Sequence, residues 1–257
     1  SKTYMQHKTG ELVGYFAWRL RPNGSVMDQY PAPDGEEYFA MALLMASKRW
    51  SNGTGIYNYE AEANYVLDHM LRHRELAGLP TWSGIANLID PVQKQIVFSP
   101  IGQAATFTDP SYHLPHFYEL FSRWGSVSNA YWLEVAQTSR QLFRNACHPV
   151  TGLAPDYSNF QGAPTQPPHD KFRFDAWRVA QNIALDSYWW NSDPWQRTNW
   201  VHHIRTGTNC DQTRQRTVIQ AVILLPVRRP APIWRGHGRS MWITLLLCAL
   251  LIAAAWT

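Results

Sequence analysis

The sequence is poor in the residue patterns that build metal and cofactor sites. Its three cysteines, Cys147, Cys210 and Cys248, lie far apart and form no Cys-x-x-Cys pair, so they indicate neither a disulfide framework nor a zinc site. His202 and His203 are adjacent rather than four residues apart, which does not suit a shared metal ion. The chain has no glycine-rich phosphate loop and no serine in a nucleophile elbow. We therefore expect no metal and no cofactor.

Basic residues do not outnumber acidic ones except near the end of the chain. Residues 1–204 contain 16 lysines and arginines against 18 acidic residues, a net charge of −2, whereas residues 205–257 contain seven arginines and one acidic residue. The overall charge of +4 therefore comes from the tail and does not indicate a basic surface on the body. We expect no nucleic-acid partner.

The composition changes abruptly near residue 205, which predicts a domain over residues 1–204 followed by an aberrant basic and apolar tail. Three interpretations of residues 205–257 stay open: a shifted reading frame, a membrane anchor behind a basic flank, or an ordinary extension. The apolar run 241–256 is short for a span of about 20 residues, so a membrane is expected as a partner only if this run is a genuine anchor. At the other end, "SKTYMQHKTGE" is typical of a helix that ends near Gly10, and we expect the chain to begin inside that helix.

The body alternates two kinds of helical pattern and offers no run suited to a large sheet. Apolar helices are predicted over 34–50, 109–124 and 175–190, and amphipathic helices over 59–75 and 129–146. Pro22-Asn23-Gly24 predicts a short hairpin turn. This repeat is typical of stacked helical hairpins in an all-α toroid, with about three hairpins forming part of the ring. The loops that enter the inner helices would then line one end.

Each apolar helix follows an aspartate that has a structural and a functional interpretation. Asp34 and Glu37 fit a capping box, and Asp109 and Asp175 fit helix N-caps. Glu36 and Glu37 also suit the positive end of a helix dipole. Alternatively, inner-helix N-termini converge on one cleft, where several aspartates could hold a sugar or activate a water.

Four blocks in the same order resemble the sequence blocks of glycoside hydrolase family 8. They are "PAPDGEEYFAMALLMASKRW", "FTDPSYHLPHFYELFSRWG", "TGLAPDYSNFQG" and "FRFDAWRVAQNIALDSYWW", and the similarity extends from about Tyr4 to Trp200. The "PAPDGEEYFAMAL" form is most similar to the reducing-end xylose-releasing exo-oligoxylanase branch. The resemblance implies an (α/α)6 barrel, incomplete in this chain, and inverting hydrolysis of β-1,4-xylosidic bonds in xylo-oligosaccharides.

The resemblance also implies roles for individual residues. Asp175 would be the general base, Asp34 would grip the distorted sugar, and Tyr112 would hydrogen-bond the base and the sugar. Trp18 in "GYFAWRL" would stack on a sugar ring, and His113 would approach the substrate. The family's general acid is a glutamate in a "TEG"-type block, which this sequence lacks. We therefore expect the chain as written to be inactive or nearly so.

Several alternatives stay open at this point. The chain could be a non-catalytic carbohydrate-binding or membrane-associated remnant, and the enzyme could be an endo-xylanase or endoglucanase of the same family. Exo action depends on a loop that blocks the cleft, which we do not find. We expect a cytoplasmic protein, with secretion as the alternative.

Overall fold

The computed structural model describes residues 2–197, and this part of the chain is mainly helical. Its α-helices are α1 (Lys2–Met5), α2 (Pro33–Trp50), α3 (Tyr59–Leu76), α4 (Pro115–Trp124), α5 (Asn129–Ala146) and α6 (Trp177–Trp189). Two small antiparallel sheets join β1 (Arg19–Leu20) to β2 (Val26–Asp28) and β3 (Ile89–Asp90) to β4 (Gln95–Ile96). The predicted hairpin around Pro22–Gly24 is confirmed by β1 and β2.

The helices pack as helical hairpins around a row of inner helices. Helix α2 packs along α3, α4 packs along α5, and α4 also contacts both α2 and α6. Helices α2, α4 and α6 are therefore the inner row, as their apolar sequences predicted. The bounds predicted for α2, α3, α5 and α6 agree with the structure to within two residues at each end.

The second inner helix is interrupted, so the prediction of one helix over 109–124 was wrong. A 3₁₀ turn over Pro110–Tyr112 is followed by two non-helical residues, and α4 then begins at Pro115. Proline disfavours the α conformation in the residue before it, and Leu114 has φ −120° and ψ 62°. This break gives Tyr112 a position in a loop rather than on a helix.

The prediction for the first residues was wrong in extent, because α1 ends at Met5 rather than near Gly10. Gln6 then pairs with Phe16 in an isolated antiparallel bridge. The interpretations of the tail concern residues 205–257, which lie outside the described residues. No helix within residues 2–197 has the length and apolar character needed to cross a bilayer.

Aromatic side chains and one buried ion network hold α4, α5 and α6 together. The ring of Trp132 packs against those of Tyr118 and Phe121, with centroid distances of 5.6 and 5.1 Å. Arg140 on α5 binds Asp186 on α6 through two hydrogen bonds of 2.8 and 2.7 Å and Glu119 on α4 through one of 3.0 Å. A buried charge that loses its partner strongly destabilises a protein, so this network fixes the arrangement of the three helices.

Candidate active site

One arginine connects the N-terminal ends of two inner helices. Arg178, in the first turn of α6, donates from Nη1 to Asp34 Oδ2 at 2.6 Å and from Nη2 to Asp175 Oδ2 at 2.9 Å. Its guanidinium also lies over the ring of Tyr112, 5.4 Å from the centroid. Three residues that are distant in sequence, Asp34, Tyr112 and Asp175, therefore meet around Arg178. All three were predicted site residues, whereas the arginine was not.

The first turn of α2 does not contain the capping box that the sequence predicted. Ala32 is the N-cap residue, no side chain caps the helix, and Pro33 occupies the first helical position. Asp34 is therefore already inside the helix, and its carboxylate accepts from the backbone N–H of Gly35 and also binds Arg178 on α6. Since this pairing crosses between two helices, the functional interpretation of Asp34 accounts for its position better than the capping interpretation.

The charges of Asp34 and its neighbours shift one another's pKa values. Burial raises the pKa of the Asp34 carboxyl, and the charge of Arg178 opposes this shift. Burial works against the charged guanidinium, but Asp34, Asp175 and Asp109 together raise the pKa of Arg178 above its usual value. Burial, followed by the charge of Asp34, raises the pKa of Tyr112 well above 10. Arg178 is therefore a permanent cation, and Tyr112 stays protonated at neutral pH.

Asp175 differs from its neighbours because its carboxylate reaches solvent. It lies in a 3₁₀ turn over Phe174–Ala176 just before α6, its side chain is 54% exposed, and it does not cap that turn. The N-cap role predicted for Asp175 was therefore wrong. Phe174 has a left-handed backbone with φ 46°, which is uncommon for a bulky residue and is found where function constrains the chain. An accessible carboxylate held by one arginine is suited to take a proton from water.

Asp109 lies close to the cluster but is buried and has a different role. Its side chain accepts a hydrogen bond of 2.7 Å from the backbone N–H of Ser111, which confirms the predicted cap for the turn before α4. Burial raises the pKa of Asp109 to about 8, although the charge of Arg178 opposes this. Asp109 is therefore mainly protonated at neutral pH and adds little negative charge to the site.

Two further carboxyl groups lie beneath Asp34 in α2; the sequence predicted a helix-dipole role for both and a capping-box role for Glu37. Glu36 accepts a hydrogen bond of 2.9 Å from the backbone N–H of Phe16, and Glu37 accepts one from the hydroxyl of Tyr118 on α4. Burial raises the pKa of Glu36 to about 8 and raises that of Glu37 well above its usual range. Both side chains are enclosed, so they connect elements and do not serve as proton donors to a substrate.

The structure separates the other two predicted site residues. Trp18 is 41% exposed, and its backbone N–H donates to the carbonyl of Tyr30, close to the start of α2. The ring is therefore accessible to solvent. His113, in contrast, is fully buried, and its two ring nitrogens hydrogen-bond the hydroxyls of Thr108 and Ser139 at 2.8 Å.

His113 is therefore a packing residue that the structure does not bring to the cluster. Burial lowers its pKa to about 3, so it is neutral at physiological pH. This neutral state matches its two hydroxyl partners, because a neutral imidazole donates through one nitrogen and accepts through the other. The expected contact between His113 and substrate is not supported by this geometry.

Asp156 and His169 lie beside Asp175, and neither was a predicted site residue. Asp156 is buried and accepts a hydrogen bond from Nδ1 of His169. The ring of His169 stacks on Tyr157 with a centroid distance of 4.1 Å and an interplanar angle of 5°. Asp156 belongs to the "TGLAPDYSNFQG" block, and this position was the one sequence signal that pointed to a role for it.

Within residues 2–197, no group of three histidine, cysteine or acidic side chains is arranged to hold a metal ion. In the same part of the chain, no glutamate hydrogen-bonds Asp34, Asp175 or Arg178. Glu11, the earliest acidic residue, is exposed, and its backbone carbonyl accepts a hydrogen bond of 2.7 Å from His73. The cluster therefore combines two arginine-bound carboxylates, of which Asp175 is accessible and Asp34 is largely shielded.

Comparison with known proteins identifies the family. The family described as glycosyl hydrolases family 8 matches residues 2–222. This chain belongs to glycosyl hydrolase family 8. Family 8 structures are (α/α)6 barrels, so the predicted fold class is confirmed, and this family 8 chain covers only part of such a barrel.

Two curated family 8 relatives are reducing-end xylose-releasing exo-oligoxylanases. Rex8A from Paenibacillus barcinonensis is 46% identical over 200 residues, covering 76% of this chain and 50% of the relative. The enzyme from Halalkalibacterium halodurans is 42% identical over 190 residues, covering 72% of this chain and 46% of the relative. The chain thus spans about half the length of these relatives.

This chain is also similar to solved family 8 structures, and it again covers about half of each. Rex8A complexed with xylose has a TM-score of 0.72 and 44% identity, covering 79% of this chain and 52% of that chain. A xylohexaose complex of a catalytic mutant of the xylanase from Teredinibacter turnerae has a TM-score of 0.73 and 42% identity, covering 79% of this chain and 54% of that chain.

Proposed function

We propose that the full-length protein is an inverting glycoside hydrolase that releases xylose from the reducing end of xylo-oligosaccharides. The observation that carries the proposal is the Asp34–Arg178–Asp175 bridge, in which one carboxylate is shielded and the other is accessible. The two exo-oligoxylanase relatives at 42–46% identity support the substrate and the end that is cleaved.

Asp175 is the general base in this proposal. Its exposed carboxylate removes a proton from a water molecule, which attacks the anomeric carbon from the side opposite the leaving sugar. The sugar–oxygen bond breaks, and the leaving oxygen receives a proton from a general acid. That acid is not among the groups that meet at Arg178. Inversion follows because water enters directly, without a covalent intermediate.

The other members of the cluster bind and orient the sugar. Asp34 accepts hydrogen bonds from sugar hydroxyls, and the charge of Arg178 opposes the rise that burial causes in its pKa. Tyr112 provides a phenolic hydroxyl that stays protonated, so it serves as a hydrogen-bond donor or acceptor. Trp18 presents an exposed ring on which a sugar stacks. Since two of these residues contact Arg178, sugar binding and base orientation are coupled.

The experiment uses xylotetraose carrying ¹³C at its reducing-end anomeric carbon. Reducing-end exo action predicts labelled xylose and unlabelled xylotriose as the first products of the full-length protein, detected by mass spectrometry. Release of unlabelled xylose first would contradict the proposed end. Absence of hydrolysis, with oligosaccharide binding retained, would favour a non-catalytic carbohydrate-binding protein.

Endo-xylanase activity is the second candidate, and one observation favours it. The Teredinibacter turnerae xylanase has a TM-score and an identity close to those of Rex8A. In the same experiment, internal cleavage predicts labelled xylobiose among the first products. The label therefore separates the two candidates in one measurement.

A further inference from the structure

We propose that Asp156 and His169 form a positioning pair that holds the general base Asp175 in its working orientation. The inference rests on the proposed function, because it takes Asp175 as the base. Neither residue hydrogen-bonds the side chains that meet at Arg178. Both act through the loop that leads from His169 to Asp175, which precedes α6.

The first step is the contact between the buried carboxylate and this loop. Asp156 accepts a hydrogen bond from His169 Nδ1, and the backbone N–H of Asp175 also hydrogen-bonds this carboxylate. Two backbone bonds run in parallel, from Asp156 N to Lys171 O at 2.9 Å and from Tyr157 N to His169 O at 3.0 Å. Asp156 therefore binds both ends of the loop, His169 at one end and the base residue itself at the other.

The second step is the path from the histidine ring to the strained residue before the base. The ring of His169 stacks on Tyr157 on one side and lies 5.6 Å from the ring of Phe174. Phe174 is in the left-handed conformation and 55% exposed, so its backbone is not fixed by burial. A bulky residue adopts this conformation at an energetic cost, which neighbouring contacts must offset. The His169 ring and the guanidinium of Arg173, 4.2 Å from the Phe174 centroid, supply such contacts.

The third step is the backbone connection between the Asp156–His169 pair and the rest of the site. Ser158, two residues after Asp156, exchanges two backbone hydrogen bonds of 3.0 Å with Thr108. Thr108 directly precedes Asp109 and the turn that carries Tyr112. The segment 156–158 thus connects the loop of the base to the loop of Tyr112. A shift of about 1 Å in a catalytic group costs on the order of 100-fold in rate, so this connection matters for turnover.

The test distinguishes the effect of the His169 hydrogen bond from the effect of its ring packing. His169→Phe keeps a ring against Tyr157 but removes the donor to Asp156, and we expect kcat to fall about 10- to 100-fold while KM stays within about two-fold. His169→Asn places an amide N–H near the position of Nδ1, and we expect it to recover most of the lost kcat. A merely structural role would not give this recovery, since Asn lacks the ring.

Three controls make the result decisive. The first control, His148→Phe, changes another histidine between α5 and α6. Within residues 2–197, the ring of His148 accepts hydrogen bonds only from Val150 N and Thr151 N in its own turn. This variant should therefore keep wild-type kcat. If His169→Phe folds poorly, His169→Gln replaces it, because its amide lies near the position of Nε2 and does not reach Asp156. Thermal melting of each variant verifies folding.

The outcomes distinguish this proposal from the proposed function. Wild-type kcat in His169→Phe and His169→Gln, or a raised KM with unchanged kcat, would overturn the positioning role while leaving the hydrolase intact. Equal loss in His169→Asn and His169→Phe would also overturn it. Failure of the wild type to hydrolyse xylotetraose, or full activity of Asp175→Ala, would overturn the proposed function and this inference with it.

Discussion

Arg178 is the residue on which the geometry of the candidate site depends most. Its two Nη atoms bind different carboxylates, Asp34 and Asp175, at 2.6 and 2.9 Å. Lysine carries a single ammonium group on a flexible stem and does not reproduce this planar fork. The guanidinium therefore sets the relative position of the two carboxylates as well as neutralising them.

We predict that Arg178→Lys lowers kcat/KM about 100-fold on xylotetraose, because one carboxylate loses its partner and the base is misplaced. Steady-state kinetics on the full-length protein would measure this. Arg123→Lys is the matched control, since Arg123 pairs with Glu119 at 3.5 Å on α4 and stacks on Trp190, away from the cluster. Equal activity of Arg178→Lys and the wild type would show that the bridge is dispensable.

Asp109 gives a pH-dependent prediction at the same scale. Its pKa of about 8 in the folded protein is above the unfolded value near 4, so the folded state retains a proton that the unfolded state releases. This residue's contribution to stability is therefore complete below pH 4 and is lost as pH rises toward 8. The loss amounts to at most about 1.4 kcal/mol per pH unit.

Asp109→Asn should accordingly gain stability relative to the wild type between pH 5 and pH 8. Asparagine is neutral at both pH values and keeps an oxygen that accepts from Ser111 N–H. Urea unfolding at the two pH values would measure the difference. If the stability of the variant relative to the wild type did not change with pH, Asp109 would be ionised in the folded protein.

At the scale of elements, the sequence predicted the helices well and their contacts poorly. Apolar periodicity is a local property, so the bounds of α3 and α5 followed from it. The break before α4 was missed although Pro115 marks it, because the apolar pattern continues across the proline. The capping interpretation of Asp34 was wrong for another reason. Whether a side chain caps its own helix or binds across to another helix depends on packing between residues far apart in sequence.

The resemblance between sequence blocks supplied most of what local patterns could not. It brought Asp34, Tyr112 and Asp175 to one site, where the structure places them. Arg178 lies three residues after Asp175, one helical turn away, and this spacing was the missed signal. No such signal existed for Glu37 and Tyr118, which are 81 residues apart and meet only because α2 packs on α4.

That contact gives a prediction about the junction of α2 and α4. Tyr118→Phe removes the hydroxyl that donates to the buried Glu37 carboxyl and should destabilise the protein by about 1–3 kcal/mol, because a buried acceptor loses its partner. Chemical unfolding would measure the change. Tyr188→Phe, on an exposed position of α6, should leave stability within about 0.5 kcal/mol. Equal stability of both variants would mean that the Glu37 contact contributes nothing.

At the scale of the whole molecule, the described helices form part of an (α/α)6 barrel, and the proposed catalytic and sugar-binding groups lie where inner helices begin. Helices α2 and α6 supply Asp34 and Arg178, and the turns before α4 and α6 supply Tyr112 and Asp175. Sheet and core contribute no group to this cluster within residues 2–197. The helical frame fixes the positions of the helix ends, and the first turns of the helices share the proposed chemistry with the turns before them.

The central claim is that Asp175 activates water in an inverting hydrolysis, and the anomeric form of the first product tests it most directly. Time-resolved ¹H NMR of xylotetraose hydrolysis by the full-length protein should show the new reducing end of xylotriose appearing first as the α-anomer. The same spectra recorded with Asp175→Ala should show almost no product. Initial formation of the β-anomer, or unimpaired hydrolysis by Asp175→Ala, would contradict the claim.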